Sequence, residues 1–365
     1  MCFDGQRAPV HCIVPPHMLR VLEMRGDARQ AELARAMLAQ GAKIRDERCA
    51  EAARVGSPML RTRGGDGFVA RTFAEAAAAP HLDRRIHDGE EKAALPGRLL
   101  RSEGEDPTGD PDADAAYDMA GAVHELYFQR FERDSLDGEG MPLVATVHHR
   151  RKFNNAFWNG TQMAYGDGDG ELFTSFLELS VVGHEMSHGV VQFSGGLIYQ
   201  GQSGALNESF ADVFGSMTRQ HAEKTDACAA DWLIGKGILG PGISGEALRS
   251  MRMPGTAYND PLLGQDPQPY HMDLYVNTQD DNGGVHINSG IPNHAFYLYC
   301  MLFGGEAWLT PGRIWYRALQ QLNNPYASFS DWAVETMQAG IALFSTGSRE
   351  VIALRRAWKL VGISV

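Results

Sequence analysis

The sequence predicts an α+β fold with two lobes, the first mixed and rich in strands and the second mainly helical, preceded by a small separate segment. Alternating apolar residues at Leu143–Val147 predict a strand in the first lobe, after a helix at Ala113–Arg133. Beyond Leu177, apolar residues recur at helical spacing in segments over 178–194, 205–221, 289–303, 310–322, 330–345 and 348–361. These patterns assign strands to the first lobe and helices to the second.

The front segment differs from the rest of the chain in composition and charge. Apolar residues at helical spacing, including Leu19, Leu22 and Leu33, predict two short helices. The stretch after about Ala50 is rich in Gly, Arg and Ala, which is typical of a linker open to proteolysis. Residues 1–80 carry 12 Lys+Arg and 9 Asp+Glu, whereas the remainder carries 21 and 36. We therefore divide the chain into residues 1–80, 81–195 and 196–365, with the front segment complementary in charge to the lobes.

Composition excludes several classes of function. The net charge is −12 with 44% hydrophobic and 21% charged residues, which is typical of a globular protein without a nucleic-acid-binding track. No apolar run is long enough to predict a membrane span. The five cysteines have no paired spacing, and the first residues lack the pattern of a secretory signal peptide. Together these observations predict a cytoplasmic protein. Export without a leader is the alternative.

A metal-binding pattern lies at His184–His188, where the residues read His-Glu-Met-Ser-His within a helical run. Residues four apart on a helix are neighbours about 5–6 Å apart. His184 and His188 can therefore bind one Zn²⁺, while Glu185 lies beside the metal. The alternative is a helix with two surface histidines.

A second cluster, Asn207–Asp212, weakens that alternative. Glu208 can supply a third ligand, and two imidazoles with one carboxylate leave a position open, as in catalytic zinc sites. Ligating histidines usually donate their other ring N–H to an acceptor, for which Asp212 and Asn207 are candidates. An acidic helix residue that is merely solvated is the other interpretation of Asp212.

These residues resemble the thermolysin family of zinc peptidases, which shares the spacing from the HExxH motif to Glu208. The resemblance covers about Leu95 to Val365. Its motifs are Asn154–Gly160, Tyr165–Gly170, Gly196–Gln200, Ser203–Glu208, Leu248–Met251 and Asp281–Gly290. It implies a two-lobed thermolysin-like peptidase with the active-site helix between the lobes.

Roles for the site residues are implied by the resemblance. One zinc is bound by His184, His188 and Glu208, supported by Asp212 and Asn207. Glu185 is the general base that activates a zinc-bound water. The developing oxyanion is stabilised by His286, which Asp281 orients, and by Tyr199. None of these positions is substituted, which argues against the alternative of a catalytically inactive homologue.

Substrate binding is implied in the same way. Asn155 and the backbone of Ala156 pair with the bound peptide, and Arg249 contacts a carbonyl after the scissile bond. An apolar pocket that favours a large apolar residue after the scissile bond is formed by Phe173, Phe176, Val181, Ile234, Ile238 and Leu248. Ordinary core positions are the alternative for these six.

The expected function is that of a neutral metalloendopeptidase acting on peptides or proteins. The front segment resembles the short propeptide of the protealysin-like branch, whose Pro-Pro motif matches Pro15–Pro16, and so implies a self-processing precursor with its own propeptide as partner. One other hypothesis is a latent propeptide complex that acts as a binding module. Another is a zinc hydrolase of a different substrate class, which leaves Asn155 and Arg249 unexplained.

Other features depart from the family or imitate unrelated motifs. Many members of the family bind two calcium ions beside the active-site helix, and calcium prefers anionic oxygen ligands. Most of the positions that match those ligands are not acidic here: they are Ser180, Arg219, Leu233, Lys236 and Gly237, with only Asp231 acidic. The double calcium site is therefore predicted to be absent. Gly235–Gly240 fits a nucleotide-binding pattern but is predicted to be a loop. Asp167–Gly170 is predicted to be a turn, with a bound cation as the alternative. Whether the thiolate of Cys2 or Cys12 caps the zinc stays open.

Overall fold

The structure is a computed structural model that describes residues 11–55 and 81–365, with side chains described for 12–41 and 81–365. Its helices are α1 Pro16–Arg25, α2 Ala28–Val55, α3 Pro111–Phe131, α4 Leu179–Gln192, α5 Gly201–Glu223, α6 Asp281–Asn288, α7 Gly290–Phe303, α8 Thr310–Gln321, α9 Phe329–Phe344 and α10 Arg349–Leu360. Its strands are β1 His11–Cys12, β2 Arg84–Asp88, β3 Arg98–Ser102, β4 Leu143–Val147, β5 Ala156–Trp158, β6 Met163–Tyr165, β7 Leu233–Ile234, β8 Arg249–Ser250, β9 Asn259–Asp260 and β10 Gly264–Gln265.

The predicted fold class is confirmed. The strands of the main sheet lie before residue 166 and helices dominate beyond residue 178, as the change in periodicity predicts. Helix α2 is longer than the short helix predicted, because its run of Ala, Arg and Glu has high helix propensity. The predicted linker after residue 55 lies outside the described residues, and the division at 1–80, 81–195 and 196–365 stays a prediction.

Within the described residues, the main sheet has six strands in the order β1-β5-β6-β4-β2-β3. Strand β4 is parallel to β2 and β6, whereas β5 is antiparallel to β6. Strand β1, from the front segment, pairs antiparallel with β5 at the edge. The front segment therefore completes the sheet of the first lobe.

Helices α4 and α5 approach closely because glycines face each other where they meet. A Cβ on Gly183 would lie 2.9 Å from the Cα of Gly215. A Cβ on Gly215 would lie 2.9 Å from the backbone nitrogen of His184 and closer still to the carbonyl oxygen of Ser180. The two backbones can be this near only without these side chains, and the approach brings one face of α5 against the histidines of α4.

The N-terminus of α4 is fixed by Glu178, whose carboxylate accepts from the backbone N–H groups of Ser180 and Val181. One hydrophobic cluster runs through both lobes and includes Met18, Leu19 and Leu22 of α1. Among the helices that the structure describes, none is long and apolar enough to cross a membrane.

We expect Gly215→Ala to lower the free energy of unfolding by about 1–3 kcal/mol, because overpacking at a helix contact forces the backbones apart. Urea denaturation followed by circular dichroism measures the change. Gly347→Ala is the control, since no atom lies within 4 Å of its added Cβ. Equal stability of the two variants would contradict the close-approach argument.

Candidate metal centre and peptide-binding cleft

His184 and His188 lie one turn apart on α4 and are fully buried. Their Nε2 atoms face each other at 3.0 Å. The carboxylate of Glu208, on α5, places Oε2 3.5 Å from His184 Nε2 and Oε1 3.5 Å from His188 Nε2. The three side chains therefore converge on one point between α4 and α5.

The tautomers of both histidines follow from their outer contacts. The Nδ1 of His184 is 2.8 Å from Asp212 Oδ1, and the Nδ1 of His188 is 2.8 Å from Asn207 Oδ1. The Asn207 amide donates to the carbonyl of Leu197 at 3.2 Å, which fixes its oxygen toward the ring. Each Nδ1 thus donates, and the two Nε2 lone pairs face each other beside a carboxylate. Two imidazole nitrogens and one carboxylate can bind a divalent cation as ligands, and this set of ligands fits zinc.

Asp212 is surrounded by donors. Arg249 donates from Nε to Oδ2 at 2.9 Å and from Nη2 to Oδ1 at 2.8 Å, and Asn293 donates to Oδ2 at 2.8 Å. Burial alone would raise the pKa of Asp212, but Arg249 and His184 lower it below its usual range. Asp212 is therefore ionised and orients both His184 and Arg249. Asn293 was missed in the sequence, although a polar residue within the apolar helix α7 was a usable signal.

Glu185 lies beside the proposed metal position, fully buried. Its Oε2 accepts the backbone N–H of Trp158 on β5 at 3.0 Å. Burial and the nearby Glu208 carboxylate raise the pKa of Glu185 well above its usual value. Its place beside the metal ligands, rather than among them, suits a general base that acts on a metal-bound water. The Trp158 contact was not predicted, because a backbone donor leaves no mark in residue identity.

A sharp turn positions His286. Asp281 and the following residues, 282–284, have positive φ angles, which fold the chain back before the helical part of α6. Asp281 accepts from the Nδ1 of His286 at 2.7 Å and from its backbone N–H at 2.9 Å. Burial would lower the pKa of His286, but the carboxylates of Asp281 and Glu208 raise it to about 9. The contact with Asp281 therefore favours the protonated ring, which donates from Nε2 as well as from Nδ1.

Tyr199 lies next to His286. Its hydroxyl is 3.3 Å from His286 Nε2 and hydrogen bonds to the carboxylate of Glu208. The hydroxyl and the imidazole thus reach the same space beside the convergent ligands. Two donors arranged in this way can stabilise a developing oxyanion.

The chain's own front segment lies in the cleft beside this centre. The N–H of Ile13 donates to the carbonyl oxygen of Ala156 at 3.2 Å, and the N–H of Val14 donates to Asn155 Oδ1 at 3.1 Å. Arg249 Nη1 donates to the carbonyl oxygen of Ile13 at 3.2 Å. Asn155, Ala156 and Arg249, which are predicted to bind the backbone of a peptide, therefore contact the backbone of the front segment in this structure.

The predicted pocket residues are all buried in the cluster that also contains Ile13: Phe173, Phe176, Val181, Ile234, Ile238 and Leu248. The rings of Phe173 and Phe176 are 5.6 Å apart. Because this cluster runs through both lobes, burial there is compatible with the pocket and with the alternative of core positions.

The two candidate thiols lie in the front segment. Cys12 packs with Phe153 and Phe157, and whether its thiol caps the zinc stays a prediction. Cys2 lies outside the described residues.

The Asp167–Gly170 segment is a loop that bends at Gly170, and a turn without a bound cation stays a prediction there. Asp169 Oδ1 accepts backbone N–H groups from Glu171 at 2.9 Å and Leu172 at 2.8 Å. Nearby, His148 Nδ1 is 3.0 Å from Asp167 and its Nε2 is 3.1 Å from Asp110. The hydrogen bond to Asp167 raises the pKa of His148 to about 9, so the imidazolium neutralises these acids.

The predicted loop at 235–240 is confirmed, since no helix follows it directly.

Comparison with known proteins identifies the family. The thermolysin metallopeptidase catalytic domain matches residues 90–192, and the alpha-helical domain of the same metallopeptidases matches residues 195–363. The chain belongs to the thermolysin metallopeptidase family. It is a metalloendopeptidase, as the HExxH motif and its spacing to Glu208 predict.

Relatives of this thermolysin-family chain include one solved precursor. An extracellular metalloprotease of Pectobacterium carotovorum subsp. carotovorum is 48% identical over 80% of this chain and 84% of its own length. Thermolysin of Alicyclobacillus acidocaldarius is 40% identical over 76% of this chain and 50% of its own. The solved precursor of protealysin from Serratia proteamaculans is 41% identical, covers 97% of this chain and 100% of its own, and superposes with a TM-score of 0.83. The precursor form is thereby supported.

The predicted cytoplasmic location is wrong, because the Pectobacterium relative is named an extracellular metalloprotease. The prediction depended partly on unpaired cysteines. Cys300 is fully buried and burial raises its pKa, which disfavours the reactive thiolate, whereas Cys228 is exposed. A count of thiols therefore does not indicate the compartment here.

We expect Asp212→Asn to weaken zinc binding about 10–100-fold, because the amide cannot fix the His184 ring as the carboxylate does. Competition with a chromophoric chelator measures the affinity. Asp331→Asn, in the N-terminal capping box of α9, is the control and should bind zinc as the wild type does. Unchanged affinity in Asp212→Asn would show that this contact does not support the ligand.

Proposed function

We propose that this chain is a latent zinc endopeptidase that cuts before large apolar residues and is inhibited by its own residues 1–80 until they are removed. One observation carries the proposal: an extended segment of the chain binds to Asn155, Ala156 and Arg249 beside the His–His–Glu centre. On the analogy of the Pectobacterium relative, we propose that it acts outside the cell.

The proposed chemistry assigns a task to each group. Asn155, Ala156 and Arg249 align an extended peptide, so that one carbonyl faces the metal centre. Glu185 takes a proton from the attacking water and passes it to the departing nitrogen. His286 and Tyr199 donate to the oxygen on which negative charge develops. His184, His188 and Glu208 would hold the zinc, which would supply Lewis-acid chemistry for the carbonyl and for the water.

The proposed preference for a large apolar residue after the scissile bond comes from the apolar pocket. Arg249 contacts the carbonyl of Ile13, whose side chain is fully buried. Burying a Leu, Ile or Phe side chain contributes about 1.5–3 kcal/mol, whereas a charged side chain without a partner there is strongly disfavoured. Peptides with a large apolar residue at the position of Ile13 should therefore be the better substrates.

Docking of the front segment is supported by contacts that agree with its charge. Arg20 pairs with Asp280, and Arg29 pairs with Glu171. His17 Nε2 lies 3.2 Å from the hydroxyl of Tyr258. These contacts connect α1 and the start of α2 to the rim of the cleft.

A single zinc without the double calcium site is the metal content that we propose. Arg219 reaches Glu178 Oε1 at 3.4 Å and also pairs with Asp231, while Lys236 Nζ lies 3.0 Å from Asp231. Protein cations therefore neutralise the carboxylates at this place, which supports the proposal.

We expect the urea midpoint of the zinc-loaded protein to be the same with and without added calcium. Arg219→Met should lower the free energy of unfolding by about 2 kcal/mol, because it removes hydrogen bonds to two partly buried carboxylates. Arg85→Met, which removes an exposed pair with Asp83, is the control and should cost less than about 1 kcal/mol. A calcium-dependent rise in the wild-type midpoint would contradict this proposal.

We expect Glu185→Gln to bind zinc, remain full length and cleave no peptide, whereas wild type loses its front segment and cleaves. Intact mass over time follows processing, and two peptides that differ only in Leu or Asp after the bond test specificity. Equal cleavage of both would contradict the pocket. A wild type that binds zinc, remains full length and cuts nothing would favour the latent binding module.

A further inference from the structure

We propose that the Cys12–Ile13 peptide bond is itself a substrate of this active site, cut within the precursor so that Ile13 becomes the N-terminus of a segment that stays bound. The inference rests on the proposed endopeptidase function and goes beyond it, because it names a bond and separates this cut from activation.

The segment lies along β5 in a defined register. Its strand β1 is antiparallel to β5, with His11 opposite Trp158 and Cys12 opposite Phe157. The pairing continues past the strand, because the N–H of Ile13 donates to Ala156 at 3.2 Å. Backbone contacts therefore hold the chain on both sides of the Cys12–Ile13 bond.

Two successive carbonyl groups identify the bond that faces the reactive groups. The oxygen of Cys12 is 3.2 Å from His286 Nε2, the atom that also lies 3.3 Å from the Tyr199 hydroxyl. The next oxygen, that of Ile13, is directed away to Arg249 Nη1 at 3.2 Å. The carbonyl of Cys12 is thus beside the oxyanion donors, and the bond that follows it is in the scissile position.

Side chains next to this bond suit the proposed specificity. Ile13 is 0% exposed and Val14 is 1% exposed, so both residues after the bond bury apolar surface. Cys12, before the bond, packs on Phe153 and Phe157. The segment therefore presents the apolar residue that the cleft is proposed to prefer.

The reaction is a balanced hydrolysis and needs no other reactant than water. The water oxygen bonds to the carbonyl carbon of Cys12 while Glu185 takes a water proton. The carbon–nitrogen bond then breaks, and the proton passes from Glu185 to the nitrogen of Ile13. The second proton of the water then passes from the new carboxyl group to the same nitrogen, so the products are a carboxylate on Cys12 and an ammonium group on Ile13.

The two products have different attachments to the protein. Downstream of the bond, Met18, Leu19 and Leu22 bury an apolar face of α1, and Arg20 pairs with Asp280. Upstream, among the described residues, the pairing of β1 with β5 and the packing of Cys12 join the segment to the lobe. The segment from Ile13 onward therefore keeps these contacts after the cut, stays in the cleft and leaves the enzyme latent.

The test follows the full-length, zinc-loaded protein by intact mass and N-terminal sequencing. We expect a species that begins at Ile13, formed at a rate that does not change over a tenfold range of protein concentration, because the bond is cut by its own active site. Ile13→Asp should lose this species, since it places a charge in the apolar cleft. Met24→Asp, at a residue 76% exposed on α1, is the matched control and should retain it.

A second measurement does not depend on catalysis. In metal-free Glu185→Gln protein, the amide hydrogens of Ile13 and Val14 should be protected from exchange, because both donate within the cleft. Ile13→Asp in the same background should lose the protection of both amides, and Met24→Asp should keep it.

The outcomes separate this inference from the proposed function. A species beginning at Ile13, with protected amides, supports it. If the mature enzyme cleaves a leucine peptide but the precursor never yields a chain beginning at Ile13, the inference falls and the proposed function stands. If neither the precursor nor any peptide is cut, both fall.

Discussion

The buried carboxylate of Asp212 is the interaction on which both the metal centre and the cleft depend. It accepts from the ring of His184, from Asn293 and, at two points, from Arg249. An ionised carboxylate without partners could not be buried, and here donors surround both oxygens. Because Arg249 uses Nε and Nη2 for Asp212, its Nη1 is directed to a peptide carbonyl. One acid therefore sets the orientation of a metal ligand and of a peptide-binding group together.

Much of the site could be predicted because helical periodicity converts spacing into direction. His184, His188 and Glu208 converge as their positions on α4 and α5 require. The close approach of the two helices was not anticipated, although Gly183 and Gly215 indicate it once the pair is known. The contact of Glu185 with the backbone of Trp158 could not be predicted, since any residue type supplies that N–H. Sequence therefore specifies the side chains of this site better than its backbone donors.

Strand β1 shows a different limit of prediction. It has two residues, too few for an alternating pattern, and 141 positions separate Val14 from its partner Asn155. What the sequence did indicate was the opposite charge of the front segment, which the pairs Arg20–Asp280 and Arg29–Glu171 realise. Charge complementarity predicts that two parts of a chain associate, whereas the register of the contact depends on backbone groups without a sequence signal.

The front segment is proposed to inhibit the enzyme by occupying the groups that would otherwise align a substrate. Peptides from solution compete with a tethered segment whose effective concentration is on the order of millimolar. Burial of Met18, Leu19 and Leu22 contributes about 1.5–3 kcal/mol for each residue, more than a two-residue strand supplies. Latency thus depends on docking of α1 rather than on an intact chain at the cleft. Release of the active site requires that this helix dissociate, whether or not the bond beside the metal centre has been cut.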